Sequence, residues 1–162
     1  VALLPQGKEV NKSTLQPKIA VVIPCFQETS QILSVIKNIG AEVSHIIVID
    51  DACPDKTGNY VMDHCEDPRV QVLKHDKNTG VGGATLSGYE RAIKESCEII
   101  VKIDGDGQMD PSHIPVLIAP LQSGKADYVK GNRFYNLDGL TEMPTVRILG
   151  NLILSFASTL TM

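Results

Sequence analysis

Residues 99–108 read Ile-Ile-Val-Lys-Ile-Asp-Gly-Asp-Gly-Gln, an apolar strand that runs into two aspartates separated by one glycine. Mg²⁺ and Mn²⁺ take oxygen ligands, and a protein commonly supplies only one or two carboxylates to a cation that also carries phosphate oxygens. Asp104 and Asp106 are therefore candidate metal ligands at a strand end. Because Asp-Gly is also a common turn pair, a tight turn without any ligand is the alternative for this stretch taken alone.

Strand-like and helix-like patterns alternate along the whole chain. Apolar, β-branched runs predict strands at 19–23, 46–50, 70–73, 99–104 and 128–131, and helical spacing predicts helices at 30–39, 57–65, 82–96 and from about 111. This alternation predicts an α/β fold with a mostly parallel sheet flanked by helices on both faces. Ligands of such folds bind at the carboxyl ends of the strands. Three of those ends carry Pro24, Asp50 with Asp51, and Asp104.

The composition predicts one soluble globular domain. The chain has 162 residues, 43% of them hydrophobic, which is enough to bury one sizeable core. A net charge of -4, no tryptophan and few other aromatic residues leave neither a basic surface nor a stacking surface, so nucleic acid is not expected as a partner. Residues 1–17 contain no apolar segment of the kind found in secretory signals and are expected to form a flexible lead-in.

The cysteines and histidines show no spacing typical of a disulfide scaffold or a zinc site. They are Cys25, Cys53, Cys65, Cys97, His45, His64, His75 and His113. Without a Cys-x-x-Cys pair, the thiols are expected to be reduced, as in a cytoplasmic protein. The histidines are expected to have surface or capping roles.

Asp50 and Asp51 open the sequence Asp-Asp-Ala-Cys-Pro-Asp, a turn that leads into the second predicted helix. A carboxylate at a strand end can accept hydrogen bonds from a ribose or from a base N–H, and the adjacent carboxylate can brace it. A purely structural interpretation remains open, in which Asp55 caps the helix and the pair only makes the loop polar.

Residues 77–84 read Lys-Asn-Thr-Gly-Val-Gly-Gly-Ala and open the third predicted helix with three glycines. Glycines let the backbone approach a ligand closely, and the free N–H groups of a helix start can bind phosphate. The spacing matches neither a Rossmann fingerprint nor a Walker motif. A closely packed helix start without a ligand explains this segment equally well.

The order of these motifs resembles the nucleotide-sugar glycosyltransferases of family 2, and within them the branch of dolichyl- and polyprenyl-phosphate sugar transferases. The resemblance spans residues 18 to about 160, and its matching stretches are 22–28, 48–55, 78–84, 104–111 and 131–134. It implies the Rossmann-like GT-A fold. Two departures leave the base and the sugar open: Phe26-Gln27 replaces the usual Tyr-Asn, and Ala52-Cys53-Pro54 replaces the usual Gly-Ser-Thr.

The resemblance also implies site residues. Those implied for nucleotide binding are Pro24, Glu28, Asp51, Gly80, Asp104 and Arg133. Asp51 matches the contact to the base or ribose, and Arg133 matches a basic residue near phosphate. Asp104 and Asp106 match the Asp-x-Asp motif, so they are the implied catalytic residues and the implied ligands of Mg²⁺ or Mn²⁺.

The implied activity is inverting transfer of a sugar from a UDP- or GDP-sugar to a polyprenyl phosphate or a saccharide. A lipid phosphate is already anionic and needs a cation such as Arg133 or Lys130, whereas a hydroxyl acceptor needs a carboxylate base. Asp110 and Asp138 match no such base. We therefore expect residues 18–162 to be a nucleotide-sugar-binding domain that is incomplete at its C-terminus. We expect the protein in the cytoplasm, held at the inner face of a membrane by a missing C-terminal region.

Residues 145–162 predict an amphipathic helix that is too short and too polar to span a bilayer, which requires about 20 apolar residues. Such a helix either covers the sheet or lies on a membrane surface beside a lipid acceptor. Both interpretations remain open.

Two other functions remain as alternatives. A receiver-like phosphoacceptor domain would use Asp50 with Asp51, Asp104 and Lys130. It fits poorly, because a strand precedes the acidic pair and Asp106 would have no role. The second alternative is a nucleotide-binding fragment without catalysis.

Overall fold

The computed structural model describes residues 1–3 and 17–131. Within them, six strands form one sheet in the order β4-β3-β2-β5-β1-β6. The strands are β1 (Ala2–Leu3), β2 (Ile19–Cys25), β3 (His45–Asp50), β4 (Val70–Lys74), β5 (Ile99–Lys102) and β6 (Tyr128–Val129). The helices are α1 (Ile32–Lys37), α2 (Thr57–His64), α3 (Gly80–Lys94) and α4 (Ile114–Gln122), with a 3₁₀ turn at Pro111–His113. No helix among these residues is long and apolar enough to cross a bilayer.

The sheet is mostly parallel, as the alternation of patterns predicted. Strands β4, β3, β2 and β5 run parallel to one another, and β1 pairs antiparallel with both β5 and β6. Strand β1 was not expected from the sequence. Residues 1–3 were assigned to a flexible lead-in, but Ala2 is fully buried and pairs with Val101 and Val129.

Helices cover both faces of the sheet, because the central strands are apolar on both sides. All seven residues of β2 are buried, as expected for a parallel strand between two helical layers. Val21 and Ile23 face a core that includes residues of α1, α2 and α4. Ala20 and Val22 face the opposite core, which α3 closes with Ala84 and Ala92. The predicted α/β fold with helices on both faces is confirmed.

Helix α3 packs against the sheet through a glycine, Gly88. A Cβ atom on Gly88 would clash with Val22 Cγ1 and would lie 2.8 Å from Ile49 Cδ1. A larger residue at position 88 would therefore push α3 away from β2 and β3.

Some of the sequence-based predictions concern residues outside the described ranges, and one concerns the bounds of a strand. The amphipathic helix at 145–162, Arg133 and Asp138 lie outside the described residues. The strand predicted at 128–131 is observed as Tyr128–Val129.

Candidate functional site

The carboxyl ends of β2, β3 and β5 meet at a single cleft of about 350 Å³. Every predicted site residue in the described part of the chain lines it, namely Pro24, Glu28, Asp51, Gly80, Asp104 and Asp106. Arg133 falls outside that part. The parallel strands therefore bring together residues that are up to 82 positions apart in sequence, from Pro24 to Asp106.

Asp104 and Asp106 lie on the turn that follows β5. The carboxylate of Asp104 forms an ion pair with the Lys102 ammonium group. Asp106 Oδ1 accepts a hydrogen bond from the Gln108 N–H at 3.0 Å, and Gly107 adopts a φ of 75° that favours glycine. This local bonding holds the turn, while both carboxylates line the cleft.

Glu28 adds a third carboxyl group to the same wall. Partial burial raises the pKa of Glu28, and the negative charges of Asp106 and Asp104 raise it further. A divalent cation would relieve this concentration of negative charge. Among residues 1–3 and 17–131, no group of three or more His, Cys, Asp or Glu side chains is arranged to hold a metal. The two carboxylates of Asp104 and Asp106 are oxygen donors of the kind that suit Mg²⁺ or Mn²⁺, cations that take their remaining ligands from water or phosphate.

Asp51 is buried and strongly hydrogen-bonded. Its Oδ1 accepts hydrogen bonds from His75 Nδ1 at 2.7 Å, from Thr79 Oγ1 at 2.8 Å and from the Thr79 N–H at 2.9 Å. Burial raises the pKa of Asp51, but the hydrogen bonds from Thr79 and His75 outweigh it and hold the pKa below its ordinary value. Asp51 is therefore an ionised carboxylate that links the end of β3 to the start of α3.

His75 and Thr79 were not predicted as site residues, and only a surface or capping role was expected for His75. His75 directly follows β4, and the parallel register that pairs Asp50 with Lys74 puts it beside Asp51. The strand-end rule that selected Asp51 could therefore have selected His75 as well.

Asp50 has a structural role. Its Oδ1 accepts from the Cys53 N–H at 2.8 Å and its Oδ2 accepts from the Gly58 N–H at 2.7 Å. Helix α2 has no side-chain cap from the residue that precedes it, Lys56. The alternative in which Asp55 caps this helix is therefore wrong, because Asp50 supplies the acceptor.

The loop that carries Glu28 is tied to α2 through Cys53 and Thr57. Cys53 Sγ accepts a hydrogen bond from the Gln27 N–H at 3.0 Å, and Thr57 Oγ1 accepts one from the Glu28 N–H at 3.3 Å. Burial raises the pKa of the Cys53 thiol, but hydrogen bonds from Thr57, Gln27 and Asp55 outweigh it and bring the pKa below its ordinary value. Although Ala52-Cys53-Pro54 replaces the usual Gly-Ser-Thr, Cys53 still holds the loop that carries Glu28.

Gly80 begins α3 at the cleft with a φ of 78°. Its N–H donates to Asn78 Oδ1 at 2.9 Å, so this donor is already used within the loop. A Cβ atom on Gly82 would meet nothing within 4 Å, whereas one on Gly83 would contact the Thr79 side chain. At this helix start, Gly83 is therefore closely packed against Thr79, whereas Gly82 is not closely packed.

Comparison with known proteins places these features in one family. The family model described as glycosyl transferase family 2 matches residues 20–159. The chain is 32% identical over 152 residues to UDP-N-acetylglucosamine–dolichyl-phosphate N-acetylglucosaminyltransferase of Methanococcus voltae, covering 85% of this chain and 61% of that protein. It is 29% identical over 133 residues to undecaprenyl-phosphate mannosyltransferase of Micrococcus luteus, covering 80% of this chain and 54% of that protein. The chain thus spans little more than half the length of these relatives.

A solved structure gives the same result for the fold. Glucosyl-3-phosphoglycerate synthase from Mycobacterium tuberculosis, in complex with Mn²⁺, UDP-glucose and phosphoglyceric acid, superimposes with a TM-score of 0.54 at 26% identity, covering 67% of this chain and 41% of that one. The GT-A fold expected from the motifs is therefore confirmed, and the receiver-like alternative is set aside. With its fold and 140 of its residues matched, the chain belongs to glycosyl transferase family 2.

Proposed function

We propose that this chain binds the donor of a metal-dependent, inverting glycosyltransferase that moves a sugar from a UDP- or GDP-sugar to a polyprenyl phosphate. The observation that carries the proposal is the single cleft that Asp104, Asp106, Glu28 and Asp51 line together. The names of the relatives from Methanococcus voltae and Micrococcus luteus, which specify dolichyl and undecaprenyl phosphates, support the class of acceptor.

Each wall of the cleft has a distinct part in donor binding. Asp51 is an ionised acceptor for an N–H or O–H group of the nucleoside. Pro24, Glu28 and the first turn of α3 line the rest of the cleft. The nucleoside thus lies toward Asp51, and the diphosphate lies toward the turn that follows β5.

Asp104 and Asp106 would hold Mg²⁺ or Mn²⁺. When bound, the cation supplies charge neutralisation for the departing diphosphate. The crowding of negative charge that raises the pKa of Glu28 supports a cation at this wall. The complex of the Mycobacterium tuberculosis enzyme with Mn²⁺ and UDP-glucose supports the same class of cofactor.

The reaction is a direct displacement at the anomeric carbon. An oxygen of the acceptor phosphate forms the new bond to that carbon while its bond to the diphosphate oxygen breaks, and the electron pair leaves with the diphosphate. One such displacement inverts the configuration. A phosphate acceptor is ionised at neutral pH, so this step needs no general base.

Positive charge is required where the acceptor phosphate binds. Strand β6 runs in the same direction as β5, because both pair antiparallel with β1. Lys130 directly follows β6 and therefore stands at the same edge of the sheet as the cleft. Lys130 is the cation that we assign to the acceptor, and Arg133, outside the described residues, is the alternative that the sequence offers. A polyprenyl acceptor would bring the protein to the cytoplasmic surface of a membrane.

Calorimetric titration of the full chain tests the proposal. UDP-N-acetylglucosamine and GDP-mannose are titrated with and without Mn²⁺ or Mg²⁺, and one of them is expected to bind only with metal. Asp104→Asn and Asp106→Asn should each weaken this binding by about tenfold or more, since each removes a charged oxygen ligand. The control is Asp63→Asn, an exposed residue of α2 outside the cleft.

Two results would contradict the proposal: no metal-dependent binding of either nucleotide sugar, or equal affinity of all four proteins. A parallel assay of sugar transfer to a short polyprenyl phosphate tests turnover. Metal-dependent binding without transfer would favour the alternative of a nucleotide-binding fragment.

A further inference from the structure

His75 is bonded at both nitrogens of its ring. Nδ1 lies 2.7 Å from Asp51 Oδ1, and Nε2 lies 3.0 Å from Ser87 Oγ on α3. The His75 N–H also donates to the Asp50 carbonyl oxygen at 2.9 Å, so its backbone continues the pairing of β4 with β3. Backbone and ring together fix the imidazole between the end of β3 and the inner side of α3.

The chemistry of the partners fixes the proton positions. The carboxylate of Asp51 is ionised and can only accept, so Nδ1 of His75 must carry a proton. In the neutral imidazole Nε2 is then an acceptor, and the Ser87 hydroxyl donates to it. The hydrogen bonds therefore run in one direction: the Ser87 hydroxyl donates to His75, and His75 donates to Asp51 at the cleft.

This chain of hydrogen bonds leaves the two oxygens of Asp51 unequal. Oδ1 receives three donors, from the His75 ring and from the backbone and hydroxyl of Thr79. Oδ2 receives no side-chain donor among the described residues: it has a second, longer contact from the Thr79 N–H at 3.1 Å, and the Gly80 N–H adds a further backbone bond to the carboxylate. Rotation of the carboxylate would break the bonds to Oδ1, so Oδ2 is the oxygen that is held ready for a ligand.

We propose that His75 is a positioning residue for the donor nucleoside, because it locks the Asp51 carboxylate so that Oδ2 accepts a hydrogen bond from the base or ribose. The inference rests on the proposed function, in which Asp51 binds the nucleoside. It adds a residue that touches no substrate itself, and it assigns Ser87 the task of holding the imidazole tautomer.

Variants of His75 distinguish the contribution of Nδ1 from that of Nε2. In His75→Asn the amide nitrogen can occupy the position of Nδ1 and still donate to Asp51. In His75→Gln the amide reaches the position of Nε2 and the contact with Asp51 is lost. His75→Ala removes both. The full-length chain of each variant is titrated with UDP and GDP in the presence of Mn²⁺, and separately with inorganic pyrophosphate and Mn²⁺.

Loss of a hydrogen bond to a charged group should weaken nucleotide binding by about tenfold or more in His75→Ala and His75→Gln. His75→Asn should retain affinity within about threefold of the unmodified chain. Pyrophosphate affinity should be unchanged in all three, because pyrophosphate has no nucleoside to meet Asp51. This difference between nucleotide and pyrophosphate separates positioning from general damage to the fold, which thermal unfolding also monitors. His64→Ala, an exposed histidine of α2, is the control.

Distinct results would overturn each level of the inference. Unchanged nucleotide affinity in His75→Ala, with normal binding by the parent chain, would disprove the role of His75 and leave the proposed function intact. Equal losses of nucleotide and pyrophosphate affinity would also disprove it, since the effect would then not pass through Asp51. If the parent chain binds neither UDP nor GDP with Mn²⁺, the proposed function fails and the inference fails with it.

Discussion

Asp50 Oδ2 accepts a hydrogen bond from the Gly58 N–H at 2.7 Å, in the first turn of α2. The neighbouring carboxylate of Asp51 lines the cleft and binds the start of α3. Two adjacent aspartates thus have separate tasks: Asp50 holds α2, and Asp51 lines the cleft. Their bonds fix the first turns of both helices relative to the end of β3.

Replacement of Asp50 by asparagine should destabilise the protein. The amide can accept at one oxygen only, so either the Cys53 N–H or the Gly58 N–H loses its buried acceptor. The expected loss is about 1–3 kcal/mol in the free energy of unfolding, measured by urea denaturation. Asp55→Asn, at an exposed position in the same loop, should change stability by less than about 0.5 kcal/mol. An equal effect of the two variants would mean that Asp50 does not cap α2.

The contact of Gly88 with the sheet gives a second stability prediction. A methyl group there would strike Val22 and Ile49, so Gly88→Ala should lower the free energy of unfolding by about 1–3 kcal/mol despite the better helix propensity of alanine. Gly82, in the first turn of the same helix, has open space around its Cα. Gly82→Ala should therefore be neutral or stabilising by up to about 1 kcal/mol. If both changes stabilise the protein, α3 does not pack as closely as described.

Acid stability should depend on Asp67. Its hydrogen bond with the Arg69 side chain holds the pKa of Asp67 below its ordinary value of 3.8. An acid with a lowered pKa in the folded state stabilises the protein above its unfolded-state pKa, and this contribution is lost as the pH falls through the folded-state pKa.

Asp67→Asn should therefore be less stable than the unmodified chain at pH 5–7, and the difference should shrink as the pH falls below about 4. The measurement is the urea midpoint as a function of pH, with Asp63→Asn as the matched surface control. A constant difference at all pH values would mean that the ionised form of Asp67 is not what stabilises the fold.

Sequence patterns predicted the cleft because its residues obey a rule about strand ends. Parallel strands end at one edge of a sheet, so Pro24, Asp51 and Asp104 could be placed together before any coordinates. The pattern could not predict β1, since a two-residue strand has no period and its pairing with Val101 lies about a hundred residues away.

The roles of individual polar residues were also hard to predict, because their partners lie far away in sequence. His75 was judged by its distance in sequence from other ligands, but its partner Asp51 lies 24 residues away and is adjacent only through the register of β3 with β4. Likewise, nothing in the pair Asp50-Asp51 tells which residue lines the cleft. Hydrogen bonds to the next helix, which depend on the path of the loop, decide that question.

The ion pair between Lys102 and Asp104 gives a last prediction, about metal affinity. The Lys102 side chain is only 17% exposed, so its charge is poorly screened at the proposed ligand. An ammonium group at this position repels a divalent cation and competes for the same oxygen. Lys102→Met keeps the length of the side chain and should raise the affinity for Mn²⁺ alone by about fivefold or more, which corresponds to about 1 kcal/mol.

The affinity is measured by calorimetric titration with Mn²⁺ in the absence of nucleotide, and Lys94→Met, at the exposed end of α3, serves as the matched control. Weaker binding in Lys102→Met would mean that the lysine orients Asp104 for the metal, and that its hydrogen bond outweighs its charge. Unchanged binding would instead argue that the metal does not use Asp104 at all. Because Asp106 does not share this ion pair, Asp106→Asn should weaken Mn²⁺ binding in both the parent chain and Lys102→Met.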